Sequence, residues 1–145
     1  ELLFERIDTA QSEVVMIADA VPSPLDIGDV GPDILDRLAD AVDRGVTVSL
    51  LVSAAIVSET PAGLLDRLDR EPFGAENFSV RTTETLHGSL YLIDGAELCF
   101  PVVNPIQRDR ILGLINLKDP AFALELEGQF HEHWQNSKRI ETDAI

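Results

Sequence analysis

Two short apolar runs set the frame for everything else in this chain. Val14-Val15-Met16-Ile17-Ala18 and Val46-Thr47-Val48-Ser49-Leu50-Leu51-Val52 are rich in β-branched residues and, apart from Thr47 and Ser49, apolar throughout. Runs of this kind read as strands covered on both faces. Between them, Asp33 to Arg44 places Ile34, Leu35, Leu38, Ala41 and Val42 at helical spacing, with Pro32 at the start and Gly45 as the stop. Strand, helix, strand over this length predicts a crossover between parallel neighbours, and it excludes an all-helical or all-antiparallel architecture.

The flanking segments extend the pattern. Leu2, Leu3, Phe4 and Ile7 suggest the end of a helix, and Pro61 to Arg70 a further helix with Leu64, Leu65 and Leu68 inward. The Asp19 to Pro32 stretch reads as a long loop rich in Pro, Asp and Gly. Past Pro72 and Gly74, four strand-like runs follow: Phe78 to Arg81, Ser89 to Ile93, Glu97 to Val103 and Arg110 to Asn116. Asp94-Gly95 marks a tight hairpin between the second and third of them. Asp119-Pro120 then opens an amphipathic helix with Phe122, Leu126, Phe130 and Trp134 along one stripe. The expected order is αβαβαββββα, an α/β fold with a mixed β-sheet sandwiched by helices. Residues 1–8 read as the end of a connecting or dimerisation helix, and residues 9–145 as one domain. A first residue that is not Met, inside a helical pattern, suggests a piece of a longer protein.

Charge narrows the function. The chain carries 26 Asp and Glu against 11 Lys and Arg, a net −15, and its only lysines are Lys118 and Lys138. Clustered cations are needed to grip phosphates, so this part is not expected to hold nucleic acid itself, nor an anionic membrane. Acid excess with scarce lysine fits a surface adapted to high salt; an acidic regulatory domain of an ordinary cell is the other reading. A lone cysteine, Cys99, within Leu98-Cys99-Phe100, excludes an internal disulfide and fits a buried small hydrophobe in a reducing cytoplasm. No apolar run approaches the length of a membrane span.

The stretch His87-Gly88-Ser89-Leu90-Tyr91-Leu92-Ile93-Asp94 resembles the HxKxxxxD motif of the phospholipase D superfamily. There a histidine attacks phosphorus and a lysine two residues later holds the phosphate oxygens. His87 and Asp94 fall on the motif's histidine and aspartate, Ser89 stands in place of the lysine, and Asn104 alone survives of the family's following Gly-Ser-x-Asn. Without the lysine, the charge of a transferring phosphoryl group has no cation to meet it. No second His-x-Lys occurs that could supply the other half of such a site. The expectation is a catalytically inactive scaffold, and His131 and His133 on the last helix are expected as solvated helix surface, because i and i+2 positions diverge by about 200° and cannot together hold a metal. No metal or other cofactor is expected.

The segment order, the Asp-Arg-Gly-Val helix end, the degraded motif and the closing helix resemble the effector domain of archaeal TrmB-like transcriptional regulators. That resemblance implies a phospholipase D-like half, a DNA-binding domain before Glu1 and a homodimer. Its function would be ligand sensing and oligomerisation, with His87, Ser89, Asp94 and Asn104 as candidate ligand-binding residues for a neutral small-molecule effector. The rival readings are a residual phosphodiesterase or nuclease acting through His87 in a dimer, and a purely structural dimerisation module. A halophilic surface has a direct consequence. Lowering salt from about 1 M to about 0.1 M lengthens the Debye screening distance from roughly 3 Å to roughly 10 Å, so the melting temperature should fall across that range; a flat profile by differential scanning calorimetry refutes salt adaptation.

Overall fold

The computed structural model describes residues 2–18, 27–54, 66, 73, 76–84, 86, 89–107 and 111–139. Its described elements, in chain order, are α1 (Leu2–Thr9), β1 (Glu13–Ala18), α2 (Ile27–Asp43), β2 (Thr47–Ser53), β3 (Phe78–Thr83), β4 (Leu90–Ile93), β5 (Glu97–Val103), β6 (Ile111–Lys118), α3 (Pro120–Gln135) and the two-residue β7 (Lys138–Arg139). The expected helix at Pro61 to Arg70 lies outside the described residues except Asp66, which is helical.

The seven strands form one sheet in the order β6-β5-β4-β1-β2-β3-β7. β1, β2 and β3 run parallel, with Val14 opposite Val48 and Val48 opposite Phe78. β4 returns antiparallel on the other side of β1, and β5 and β6 continue antiparallel outward. The mixed sheet is the expected one. β7, which pairs Lys138 and Arg139 with Thr82 and Arg81, was not foreseen; two polar residues after a helix carry no strand periodicity.

The sheet's two faces are covered by different helices. On one, Val14, Met16, Val48, Leu50, Tyr91, Ile93 and Cys99 are buried with Ile7 of α1 and Ile34, Leu38, Ala41 and Val42 of α2. On the other, Val15, Leu51, Leu92 and Leu98 are buried with Ala123 and Phe130 of α3. Alternation along β1 and β2 therefore serves two cores at once, which explains why Val14 to Ala18 and Leu50 to Val52 are apolar on both faces.

α2 ends as its sequence proposes. Gly45, at φ +90°, donates to Val42 O, and Val46 N–H reaches back to Ala41 O, the paired bonds of a Schellman stop. Asn77 Nδ2 donates to Val42 O and Val46 O across the same turn. Arg44 Nη2 donates to Ile7 O and Ala10 O, satisfying the C-terminal carbonyls of α1. The start of α2 differs from expectation: the helix begins at Ile27, so Pro32 lies inside it and the Asp19 to Pro32 loop is shorter than its composition implied. Proline is best accommodated near a helix start, where its missing N–H costs least, and that preference does not mark the first residue.

α3 begins on Asp119, whose carboxylate accepts from Phe122 N–H at 3.1 Å, as expected of an N-cap. Its apolar stripe is only partly confirmed. Phe130 is buried and Leu126 and Trp134 are half-buried against the sheet, but Phe122 is 40% exposed. Ala123 takes its place inward, because the helix turns a narrower face to the strands than the large side chains suggest. At the other end Arg81 donates to Trp134 O at 2.9 Å and stacks on the Trp134 ring, a cation against the helix's negative end.

Gly45 offers a clean test of the turn. A methyl there meets nothing within 4 Å, so only backbone strain opposes it. Gly45→Ala should cost about 1–2 kcal/mol in chemical denaturation, the price of a left-handed L-residue.

Candidate functional site

The point where the sheet reverses its winding lies between β1 and β4, since β1 leads rightward to β2 and β3 while β4 starts the antiparallel side. In open α/β sheets the carboxyl ends of the strands beside such a reversal form the natural ligand crevice. The register assembles that end. Ile17 lies opposite Leu90, so one step further sets Ser89 beside Ala18; Ala18 lies opposite Val52, and Val52 opposite Thr82. Ser89 and Thr82 thus share one row on the face covered by α1 and α2.

That row is neutral. The Tyr91 hydroxyl beneath it is fully buried, and neither it nor Thr82 Oγ1 has a hydrogen bond of good geometry among the described residues. Burial pushes the Tyr91 phenol up to about 12, only partly opposed by the neighbouring Ser89 hydroxyl. Unpaired buried hydroxyls are costly and invite a partner. Asn104, past the end of β5, accepts from Ile106 N–H at 2.9 Å and Gln107 N–H at 3.2 Å through Oδ1. Its carbonyl therefore builds the loop, and its amide N–H₂ is the part left to contact anything else. His87 lies outside the described residues.

Asp94 sits at the opposite end of β4, and its carboxylate is already engaged. It accepts from Ser12 N–H at 2.8 Å, Gln11 N–H at 3.0 Å, Glu13 N–H at 3.1 Å and Ser12 Oγ at 3.1 Å. Partial burial pushes its carboxyl upward, but those bonds from Ser12, Glu13 and Gln11 win and hold it below its ordinary range. Asp94 and Gly95 both take positive φ, 56° and 64°, in the tight turn the dipeptide predicted. Ser89 and Asp94 are thus separated by the length of β4.

A feature that sequence reading missed lies beside this hairpin. Burial, a hydrogen bond to Glu127 of α3 and the nearby charges of Glu127 and Asp94 push the Glu13 carboxyl up to about 7. Glu127 also faces Gly95 and stands 3.9 Å from His131. Two glutamates 114 positions apart give no local motif, so only the α3 docking geometry reveals the pair. His131 and His133 are exposed as expected, and no metal-binding group forms among the described residues. Cys99 is buried and receives Asn116 Nδ2 at 3.2 Å; burial raises its thiol, as suits a structural cysteine.

The family model for a domain of unknown function, DUF7436, matches residues 1–140. The chain belongs to that family. No curated protein matches it. Among solved structures it is similar to TrmBL2, described as an archaeal chromatin protein with a novel mode of DNA binding, at TM-score 0.72 and 18% identity over 96% of this chain. It spans about half, 49%, of TrmBL2. It is also similar to the phospholipase D family member Nuc from Salmonella typhimurium, at TM-score 0.65 and 18% identity, covering 97% of this chain and 89% of that one. NucT from Helicobacter pylori gives TM-score 0.66 and 13% identity, covering 96% of this chain and 89% of that one. At these identities the likeness establishes a phospholipase D-like fold for the DUF7436 chain.

Both carboxylates can be tested. Asp94→Ala should destabilise by about 2 kcal/mol in urea melts, since three backbone donors lose a charged acceptor. Glu13, protonated in the fold up to about pH 7 but only to about its ordinary 4.5 when unfolded, gives the native state the extra proton, so stability declines as pH rises between those values. The Asp94 contribution is lost only on acidification below its ordinary 3.8, outside that window. Melting temperature should therefore drop from pH 4.5 to 7, and Glu13→Gln should remove that slope.

Proposed function

We propose that this DUF7436 domain is the non-catalytic, ligand-sensing and oligomerising part of a DNA-associated regulator, its DNA contacts lying in parts of the protein outside these 145 residues. The observation that carries this reading is the neutral row at the carboxyl end of the sheet. Ser89 stands where the phospholipase D motif carries lysine, and Asp94 is engaged by the backbone of Gln11, Ser12 and Glu13. What remains near that end are hydroxyls and an amide: Ser89, Tyr91, Thr82 and Asn104. Such groups suit the hydroxyls of a neutral ligand and leave a phosphate without its counter-charge.

The likeness to TrmBL2, and the half of TrmBL2 that this chain spans, support the regulatory context. The net charge of −15 supports the division of labour, because a domain this acidic repels a phosphate backbone. A halophilic, archaeal and cytoplasmic setting fits the same composition, and a homodimer fits two half-sites on DNA. His87 belongs to this site by its place in the motif, two positions before Ser89.

Two measurements test the proposal. In a mobility-shift assay the 145-residue chain should leave duplex DNA unbound even at about 50 mM salt; tight binding refutes the separation of roles. With bis(p-nitrophenyl) phosphate, wild type and His87→Ala should show the same background rate. Turnover abolished by His87→Ala would instead establish the residual phosphodiesterase reading.

A further inference from the structure

The apolar stripe of the last helix is largely occupied by its own sheet. Phe130 is buried there, with Leu126 and Trp134 packed beside it. Phe122 and Leu124, the exposed pair, lie two residues apart and so diverge by about 200° around the helix. They cannot form one face.

A different surface is left open. β6 pairs only with β5 among the described residues, so its outer row of backbone N–H and C=O groups has no strand beside it. The opposite edge of the sheet is closed by β7. Exposed edges are normally guarded by proline, inward charge, short length or a bulge, and of these β6 has only a bulge at its start, at Leu112, which leaves Gly113 to Lys118 regular. β6 is eight residues long, reads Ile-Leu-Gly-Leu-Ile-Asn-Leu-Lys, and carries its single charge at the last position. Leu112 is 64% exposed, Ile115 43% and Leu117 37%.

We infer that β6 is the homodimer interface, pairing antiparallel with β6 of a second copy to continue the sheet across a two-fold axis. The occupant follows from charge and from self-complementarity. Two chains of −15 repel over most of their surfaces, and β6 is an edge free of Asp and Glu along its whole length. A two-fold axis at Ile115 pairs residues 113 to 117, past the bulge at Leu112 where β5 shifts from Gly113 to Ile111, with themselves in reverse and keeps each of those side chains on its own face of the sheet. Ile115 then meets Ile115 of the other copy, and Leu117 falls opposite Gly113. A side-chain carbon at Gly113 would meet nothing within 4 Å, so there is room for that leucine. On the reverse face Leu114 lies opposite Asn116. Apolar residues oppose apolar or small ones, and no like charges face each other.

This inference names the surface for the oligomerising role proposed above. Sedimentation equilibrium in molar salt should give twice the 15.9 kDa chain mass. Ile115→Lys places two cations face to face on the axis while lowering the net negative charge, and should weaken the dimer by about tenfold or more. Leu124→Lys, on the exposed flank of α3, should leave the dimer constant unchanged; thermal melts of both variants should match wild type. A dimer that survives Ile115→Lys overturns the β6 assignment and leaves oligomerisation standing. A wild-type monomer at about 100 µM overturns both.

Discussion

The Asp94 carboxylate holds the two halves of the sheet in register. It lies in the turn between β4 and β5, yet its bonds go to the backbone of Gln11, Ser12 and Glu13, at the mouth of β1. Asp94 N–H in turn donates to Glu13 O. A slip of β4 against β1 by one residue would exchange the two faces of the strand, moving Tyr91 and Ile93 out of one core and Leu92 out of the other. The carboxylate opposes that slip because it has one set of N–H donors to satisfy it. The parallel side (β1, β2, β3) and the antiparallel side (β4, β5, β6) are therefore joined where a short strand of four residues would otherwise hold them weakly.

Around that joint the two helical layers serve different ends. α1 and α2 are tied to the sheet and to each other by cations: Arg6 reaches Glu97, Arg44 caps α1, and Arg37 pairs with Asp8 while lying over the Phe4 ring. With only 11 Lys and Arg in the chain, placing several between helices gives each an acidic or carbonyl partner in a partly shielded setting, where screening by salt is weaker than at the open surface. α3 docks more lightly, through Phe130, Ala123 and the Glu13–Glu127 contact. That contact needs a shared proton, so the hold of α3 on the hairpin end responds to pH.

Much of this was legible locally. The buried strands, the Gly45 stop, the Asp94-Gly95 turn and the Asp119 cap each depend on residues a few positions apart, and each came out as read. What escaped depended on packing at a distance. Phe122 belongs to the apolar stripe by period but not by contact, because a single helix face of Ala123 and Phe130 already fills the space over Leu92 and Leu98. Ile27 to Asp43 is one helix despite Gly28 and Pro32: Pro32, its sixth residue, forgoes one bond to the Gly28 carbonyl, and the packing of Ile34, Leu38, Ala41 and Val42 on the sheet outweighs that loss. The pairing of Glu13 with Glu127 and the addition of β7 arise only once α3 has crossed the sheet. At the candidate site, motif spacing pointed to Ser89 and Asn104 as candidates, but not to the buried hydroxyls of Tyr91 and Thr82, which share no motif and come near only through strand register.

The loss of the motif lysine and the use of Asp94 as a backbone clamp are electrostatically consistent. A lysine at position 89 would sit beside the buried Tyr91 hydroxyl and the row containing Ala18, Val52 and Thr82, none of which can offer a counter-charge; a cation held there needs an anion supplied from outside. Serine removes that requirement. The row then needs no counter-charge, and among the described residues its one hydroxyl without a hydrogen bond is Thr82 Oγ1. On the proposed reading, such a site would favour whatever supplies neutral donors and acceptors, and its occupancy would bear on β4, whose far end carries the Asp94 clamp and whose neighbour β5 pairs with β6. A ligand at one end of this short strand and a second copy at the edge two strands away would thus bear on the same hydrogen-bonded ladder, the kind of shared element through which a binding event can bias assembly.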